Sequence, residues 1–148
     1  MKLFDIFKKK DKRTPKRKTG DLGESFATAH LVKNGYRILE KNWAHGKQEI
    51  DIIAEKQGCI VFCEVKTTAS DKAEDMRTPS TAVDREKRKN VTDCAREYMI
   101  FIKRRFPRYS FEYRFDVIEV FLNRDTPEIN HIEDAFLAEK GYKKQWKT

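Results

Sequence analysis

Two carboxylates and a lysine stand near the middle of the chain in a pattern that can do chemistry. Asp51 lies in Glu49-Ile50-Asp51-Ile52-Ile53-Ala54, and Glu64 and Lys66 close the run Cys59-Ile60-Val61-Phe62-Cys63-Glu64-Val65-Lys66. As a β-strand the second run has faces Cys59/Val61/Cys63/Val65 and Ile60/Phe62/Glu64/Lys66, because side chains alternate along a strand. Both faces begin apolar, the mark of a central strand covered on each side. Charged groups beside a core face are costly unless they are paired, bound to metal or opened into a cleft. From this strand alone, a Glu–Lys pair at a sheet edge explains Glu64 and Lys66 as well as a reaction centre does.

Asp51 shifts that balance. The strand around it alternates as Ile50/Ile52/Ala54 and Glu49/Asp51/Ile53, and a turn at Gln57-Gly58 leads to the Glu64 strand. A hairpin of this length sets Asp51 beside Glu64. Two close carboxylates repel, and their pKa values rise unless a cation joins them. Mg²⁺ suits such a pair, with Mn²⁺ as a substitute: it is hard, and commonly takes one or two carboxylates with water and substrate phosphate. A nearby Lys66 ammonium would orient the attacking water or stabilise charge building on a phosphate.

Two further residues admit two readings each. Asp21-x-x-Glu24 has the spacing of a helix capping box, and Glu24 can equally be a further carboxylate aimed at the metal site. Lys87 falls on an apolar helical stripe between Val83 and Val91. There it either snorkels from the core edge or reaches the site. Its neighbours Arg85, Arg88 and Lys89, with Lys103, Arg104 and Arg105 beyond, can contact phosphates, although a solvated helix face is the default for such residues.

The elements that must position these groups follow from periodicity and breakers. A first helix is expected over residues 21–34, with Leu22, Phe26, Ala29 and His30 at helical spacing and Gly35 as the stop. Strand-like runs follow at 36–43, 49–54 and 59–66, separated by glycine turns, an antiparallel meander. Residues 68–79 read as a loop. A long helix is expected over 80–105 with the stripe Val83, Val91, Cys94, Tyr98 and Ile102, ended before Pro107. A strand is expected over 112–122, and a last one over 127–132. The order, α-β-β-β-α-β with one further strand in reserve, implies an α/β domain with a mixed central sheet flanked by helices.

Composition sets the limits. The 148 residues are one domain's worth, 39% apolar and 38% charged, too charged for a membrane protein. The start of the chain has too short an apolar run for a secretory signal, so the cytoplasm is the expected compartment. Three cysteines without Cys-x-x-Cys spacing argue for buried thiols over a disulfide framework or zinc knuckle. The net charge of +8 lies in the ends: residues 1–18 carry +7, residues 139–148 carry +3, and the body between them carries −2. The expected organisation is a disordered basic arm at 1–18, a domain at 19–137 and a basic tail at 138–148. Basic tails favour polyanions without sequence preference, and a tail that merely stays solvated is as good a reading.

Taken together, Gly23-Glu24, Gly35-Tyr36-Arg37-Ile38-Leu39, Asn42-Trp43, Glu49-Ile50-Asp51-Ile52-Ile53-Ala54, Val61 to Thr67, Lys87, Arg114-Phe115-Asp116-Val117 and Ala135-Phe136 resemble the YraN-like family of predicted endonucleases. That family lies within the PD-(D/E)XK superfamily. The resemblance implies a restriction-endonuclease-like fold, similar to archaeal Holliday-junction resolvases, and a metal-dependent endonuclease acting on nucleic acid, with DNA expected and branched or structured DNA as candidates. It implies Asp51 and Glu64 as metal ligands, Lys66 as catalytic lysine, Glu24 as the helix carboxylate joining the site, and Lys87 as a basic position on the next helix. By analogy with the resolvases it also suggests a homodimer. A non-catalytic nucleic-acid-binding module on the same fold is the alternative. Gln48 stands where the family usually has Gly, and Thr68 where a basic residue usually follows; the first should alter turn geometry and the second weaken a phosphate contact.

Overall fold

The computed structural model describes residues 13–69, 85–122 and 125–138. Seven elements follow one another: α1 (Pro15–Lys33), β1 (Arg37–His45), β2 (Gln48–Lys56), β3 (Cys59–Thr68), α2 (Arg85–Arg105), β4 (Glu112–Phe121) and β5 (Glu128–Phe136). The strands form one sheet in sequence order. β1, β2 and β3 are antiparallel neighbours, β3 and β4 are parallel, and β4 and β5 are antiparallel. A parallel pair needs a crossover, which a helix usually supplies; here α2 lies between β3 and β4. This is the mixed sheet flanked by two helices expected of a restriction-endonuclease-like fold.

Each helix covers one face. Ile60 and Phe62 of β3 pack with Val91, Cys94, Tyr98 and Ile102 of α2. Val61 and Cys63, one residue out of phase, pack with Ala27 and Leu31 of α1. β3 is therefore the buried central strand that its doubly apolar pattern implied. The α2 stripe is as expected from Val91 onward; Val83, the start of that helix and the expected loop fall largely outside the described residues.

α1 departs from expectation at its start and in its buried face. It begins at Pro15, six residues before the expected start at Asp21, with Thr14 as N-cap accepting from the Arg17 amide. Proline is favoured at the first helical position, where its missing N–H costs nothing. Asp21 and Glu24 are thus mid-helix, and the capping-box reading fails. Residues 15–18, expected in the basic arm, are helical, while residues 1–12 lie outside the described residues. The fully buried face is Gly23, Ala27 and Leu31; of the expected stripe Phe26 and His30 are half-buried, Phe26 against the same core, whereas Leu22 and Ala29 are exposed. Small residues win because the helix sits tightly on β3: a Cβ at Gly23 would overlap the Thr67 side chain.

β2 also breaks its expected alternation. Ile52 and Ala54 face α1, but Ile50 packs with Ile53 on the α2 side. The break falls at Asp51, opposite Asn42, whose φ of 50° is left-handed, a conformation asparagine tolerates better than most residues.

On the α1 face a polar cluster ties the far edge together. Asp116 of β4 is fully buried. It accepts from Arg114 Nε at 2.9 Å and Nη2 at 3.1 Å, from the Asp134 amide at 3.0 Å, and bonds His131 Nε2 at 2.7 Å. His131 Nδ1 in turn meets His30 Nε2 of α1 at 3.2 Å. Among the described residues no helix is long and apolar enough to cross a membrane.

Candidate active site

β2 and β3 bring the first pair together. Their ladder runs from Lys56↔Cys59 to Ile52↔Cys63. Past that point the Val65 amide donates to Asp51 Oδ2 at 2.8 Å, so a side chain takes over from a strand carbonyl and is fixed by it. Carried one step further, the register sets Asp51 opposite Glu64, close enough for the charge of Asp51 to raise the Glu64 carboxyl. Two carboxylates so placed need a shared proton or a cation between them.

The electrostatics carry that strain. Burial and the Asp51 charge push Glu64 up to about 7, against the opposing pull of Lys87. Asp51 is raised as well, chiefly by burial, although the Val65 amide and Lys87 work against it. Glu64 Oε1 pairs with Lys87 Nζ at 3.1 Å, while Glu64 Oε2 is buried without a hydrogen-bond partner. A buried acceptor left unsatisfied is expensive, and here it belongs to one of the two facing acids.

Glu24 approaches from α1. Its pKa is raised, first by burial and then by the Asp51 charge, and Asn42 lowers it by donating a hydrogen bond. Gly23, the residue before Glu24, sits tightly against the Thr67 side chain of β3. Lys66 lies two residues beyond Glu64, so alternation puts it on the same face. Among the described residues it has no carboxylate partner, and the cation paired with Glu64 is Lys87. Lys87 thus reaches the site, with its side chain 43% exposed against 12% for Glu64. Burial lowers its pKa, but the Glu64 and Asp51 charges outweigh this and raise it.

The donor set fits a hard divalent cation. It is all oxygen, it is acidic, and one oxygen is buried and uncommitted. Among the described residues no three His, Cys, Asp or Glu side chains form a cage by themselves. Mg²⁺ does not require one, since it keeps several waters and uses one or two carboxylates.

The sequence of this chain matches the model of the uncharacterised protein family UPF0102 over residues 23–120. The chain belongs to that family. It is 40% identical to a UPF0102 protein of Caldanaerobacter subterraneus over 128 residues, covering 84% of this chain and 99% of the relative. A UPF0102 protein of Alkaliphilus oremlandii is 40% identical over 120 residues, covering 81% and 98%. One from Flavobacterium psychrophilum is 39% identical over 117 residues, covering 79% and 92%.

The remaining candidates in this UPF0102 member are less concentrated. Arg85 and Lys89 are exposed on α2 and Arg88 is half-buried. Gln48 opens β2, just past the two-residue turn at Gly46-Lys47. Gly46 carries the positive φ of 62° there, and the Gln48 amide donates to Asn90 Oδ1 at 2.8 Å, tying β2 to α2 one turn from Lys87. Sequence reasoning missed this tie and missed Asn42 as the partner of Glu24. The signal for Asn42 was a turn-prone residue inside a strand-like run. Cys63 and Cys94 are buried and Cys59 half-buried, all free, in keeping with the reading as reduced thiols.

Proposed function

We propose that this chain is a metal-dependent endonuclease that hydrolyses phosphodiester bonds in DNA, with branched or structured DNA as the candidate substrate. The observation that carries this reading is the pair of half-buried, neighbouring carboxylates, Asp51 and Glu64, with Lys87 of α2 on Glu64 Oε1. A divalent cation would relieve the mutual repulsion of two acids held this close, both of which are raised.

Asp51 and Glu64 are the residues to hold Mg²⁺ or Mn²⁺, with Glu24 sharing or tuning the site from α1. When bound, such an ion supplies Lewis-acid polarisation of the phosphate and a water of lowered pKa. The Val65 amide keeps Asp51 oriented. Lys66, on the same face, orients the attacking water or meets the charge that develops as water adds to phosphorus and the bond to the leaving sugar oxygen breaks. Lys87 favours the charged form of Glu64 against the larger effect of burial and, being half-exposed, can turn to a phosphate oxygen. Arg85, Arg88 and Lys89 continue that cationic surface along α2.

The test is cleavage of labelled branched, single-stranded and duplex DNA with Mg²⁺ or Mn²⁺. Wild type should cut at least one substrate. Asp51→Ala and Lys66→Ala should each reduce the rate by on the order of a hundredfold or more while binding persists. The Glu64–Lys87 ion pair favours a second reading, a binding module that cuts nothing. Salt-sensitive binding with no cleavage under either metal would establish that reading instead.

A further inference from the structure

The end of α2 and the segment after it carry a feature that the reaction centre does not use. Residues 98–111 read Tyr-Met-Ile-Phe-Ile-Lys-Arg-Arg-Phe-Pro-Arg-Tyr-Ser-Phe, with four basic residues, five aromatic rings and no acid. The body of the chain carries a net −2, so this short +4 stretch stands against its surroundings. Phe101, Phe106 and Tyr109 are 47%, 42% and 68% exposed. Lys103, Arg104, Arg105 and Arg108 are exposed beside them.

The rings are ordered relative to one another. Tyr109 stacks on Phe111 with centroids 6.2 Å apart, and Phe106 meets Tyr109 edge-on at 6.3 Å. The Arg105 guanidinium lies 5.8 Å from the Phe106 centroid. Phe111 packs against the α2-side core, so the row is anchored at one end and open at the other. A favourable interaction with the helix dipole accounts for Lys103, Arg104 and Arg105 in the last turn. It does not account for Arg108, which lies past the helix, nor for large rings left in water. The nearest acids in sequence, Glu97 and Glu112, lie outside the stretch, and Glu97 is paired with Arg96 at 3.3 Å.

We propose that Phe106 and Tyr109, with Arg104, Arg105 and Arg108 around them, form a docking platform for single-stranded nucleic acid. Unpaired bases stack on the two rings and the guanidinium groups hold the flanking phosphates. Aromatic rings interleaved with cations suit this ligand, because every base has a π-face and every nucleotide a charge. Duplex DNA offers the charge but keeps its bases stacked inside. α2 is 21 residues long, and at 1.5 Å per residue the platform lies roughly 30 Å from Lys87. It would therefore hold an unpaired arm of a substrate well away from the scissile bond. This inference rests on the nucleic-acid reading above but not on hydrolysis.

The experiment is fluorescence anisotropy of the full chain with labelled oligothymidine and with a duplex of equal length, in EDTA so that cleavage plays no part. Wild type should prefer the single strand. Phe106→Ala and Tyr109→Ala should each weaken oligothymidine binding by about fivefold or more and leave duplex binding nearly unchanged, while Tyr109→Phe retains affinity. Arg104→Gln combined with Arg108→Gln should weaken both ligands and flatten the salt dependence. All four sites are exposed, and circular dichroism melts confirm that the variants fold. Equal affinity of wild type and the ring variants for oligothymidine overturns the proposal. So does a wild-type dimer that the same ring substitutions render monomeric, which would assign the patch to contact between copies. Absence of cleavage with metal restored would remove the hydrolytic reading and leave the platform standing.

Discussion

Two buried acids sit back to back across the sheet and have been treated in opposite ways. Asp116 is paired in register with Cys63 on the neighbouring strand, and Glu64 is the next residue along. Asp116 faces α1, Glu64 faces α2. Burial raises the pKa of Asp116, but His131, Arg114 and the Asp134 amide more than offset it, and the net shift is downward. Glu64 has one cation, one facing acid and one bare oxygen, and its pKa is pushed up to about 7. The same sheet can saturate a buried carboxylate with donors where the need is structural. The other is left with fewer donors and a raised pKa, which is the difference that the proposed cation site rests on.

The harshest way to break this comparison is to delete the saturated acid. Asp116→Ala leaves Arg114 and His131 facing an empty, buried position and should cost about 3–5 kcal/mol of stability, read by urea denaturation. A loss no larger than for a surface residue would show that the cluster is not a structural anchor.

Next comes pH, where the two acids should act with opposite signs. Between its ordinary value of 4.5 and about 7, folded Glu64 keeps a proton that the unfolded chain has released. Stability therefore falls as pH rises through that window, by on the order of 3 kcal/mol. Asp116 has a lowered pKa, so its contribution is present above its ordinary value of 3.8 and is lost as pH falls through the lowered folded value. Glu64→Gln should flatten the upper limb only. Adding Mg²⁺ at neutral pH should stabilise wild type by about 2.7 kcal/mol at a hundred times the dissociation constant, and Asp51→Ala should lose that gain. A melting temperature indifferent to Mg²⁺ in wild type would count against the site.

The smallest effect concerns how α1 presents Glu24. Glycine to alanine inside a helix ordinarily gains about 1 kcal/mol. At Gly23 the new methyl meets Thr67, and the substitution should instead cost about 1–3 kcal/mol. Thr67→Ala in the same chain should return part of the loss, a coupling that a double-mutant cycle measures. Stabilisation by Gly23→Ala alone would mean that the helix is not held at this distance.

Much of this molecule was legible from local pattern. The doubly apolar run at 59–65 marked the central strand, and glycine turns marked the meander. The helical stripe through Val91, Cys94, Tyr98 and Ile102 marked α2, and even placed Lys87 on the face that turns to Glu64. These are consequences of periodicity and burial that any chain with this spacing must obey. The pairing of Asp51 with Glu64 followed too, because hairpin length sets which residues lie abreast.

What the spacing could not decide was left to contacts between distant segments. Pro15 serves as a helix start and not as a mark of disorder because Thr14 caps it and the helix has a sheet to lie on. Gly23, Ala27 and Leu31 form the buried face of α1 and Leu22 does not, because the helix meets β3 closely at Gly23, where Thr67 leaves no room for a side chain. The alternation of β2 reverses at Asp51, opposite the left-handed Asn42, a twist that no two-residue period encodes. Residue types and their spacing determined which groups stand near one another along and across strands. Which oxygen stays bare, which lysine meets it and which acid is saturated depended on the donors that other elements deliver, and those are set only when the helices close on the sheet.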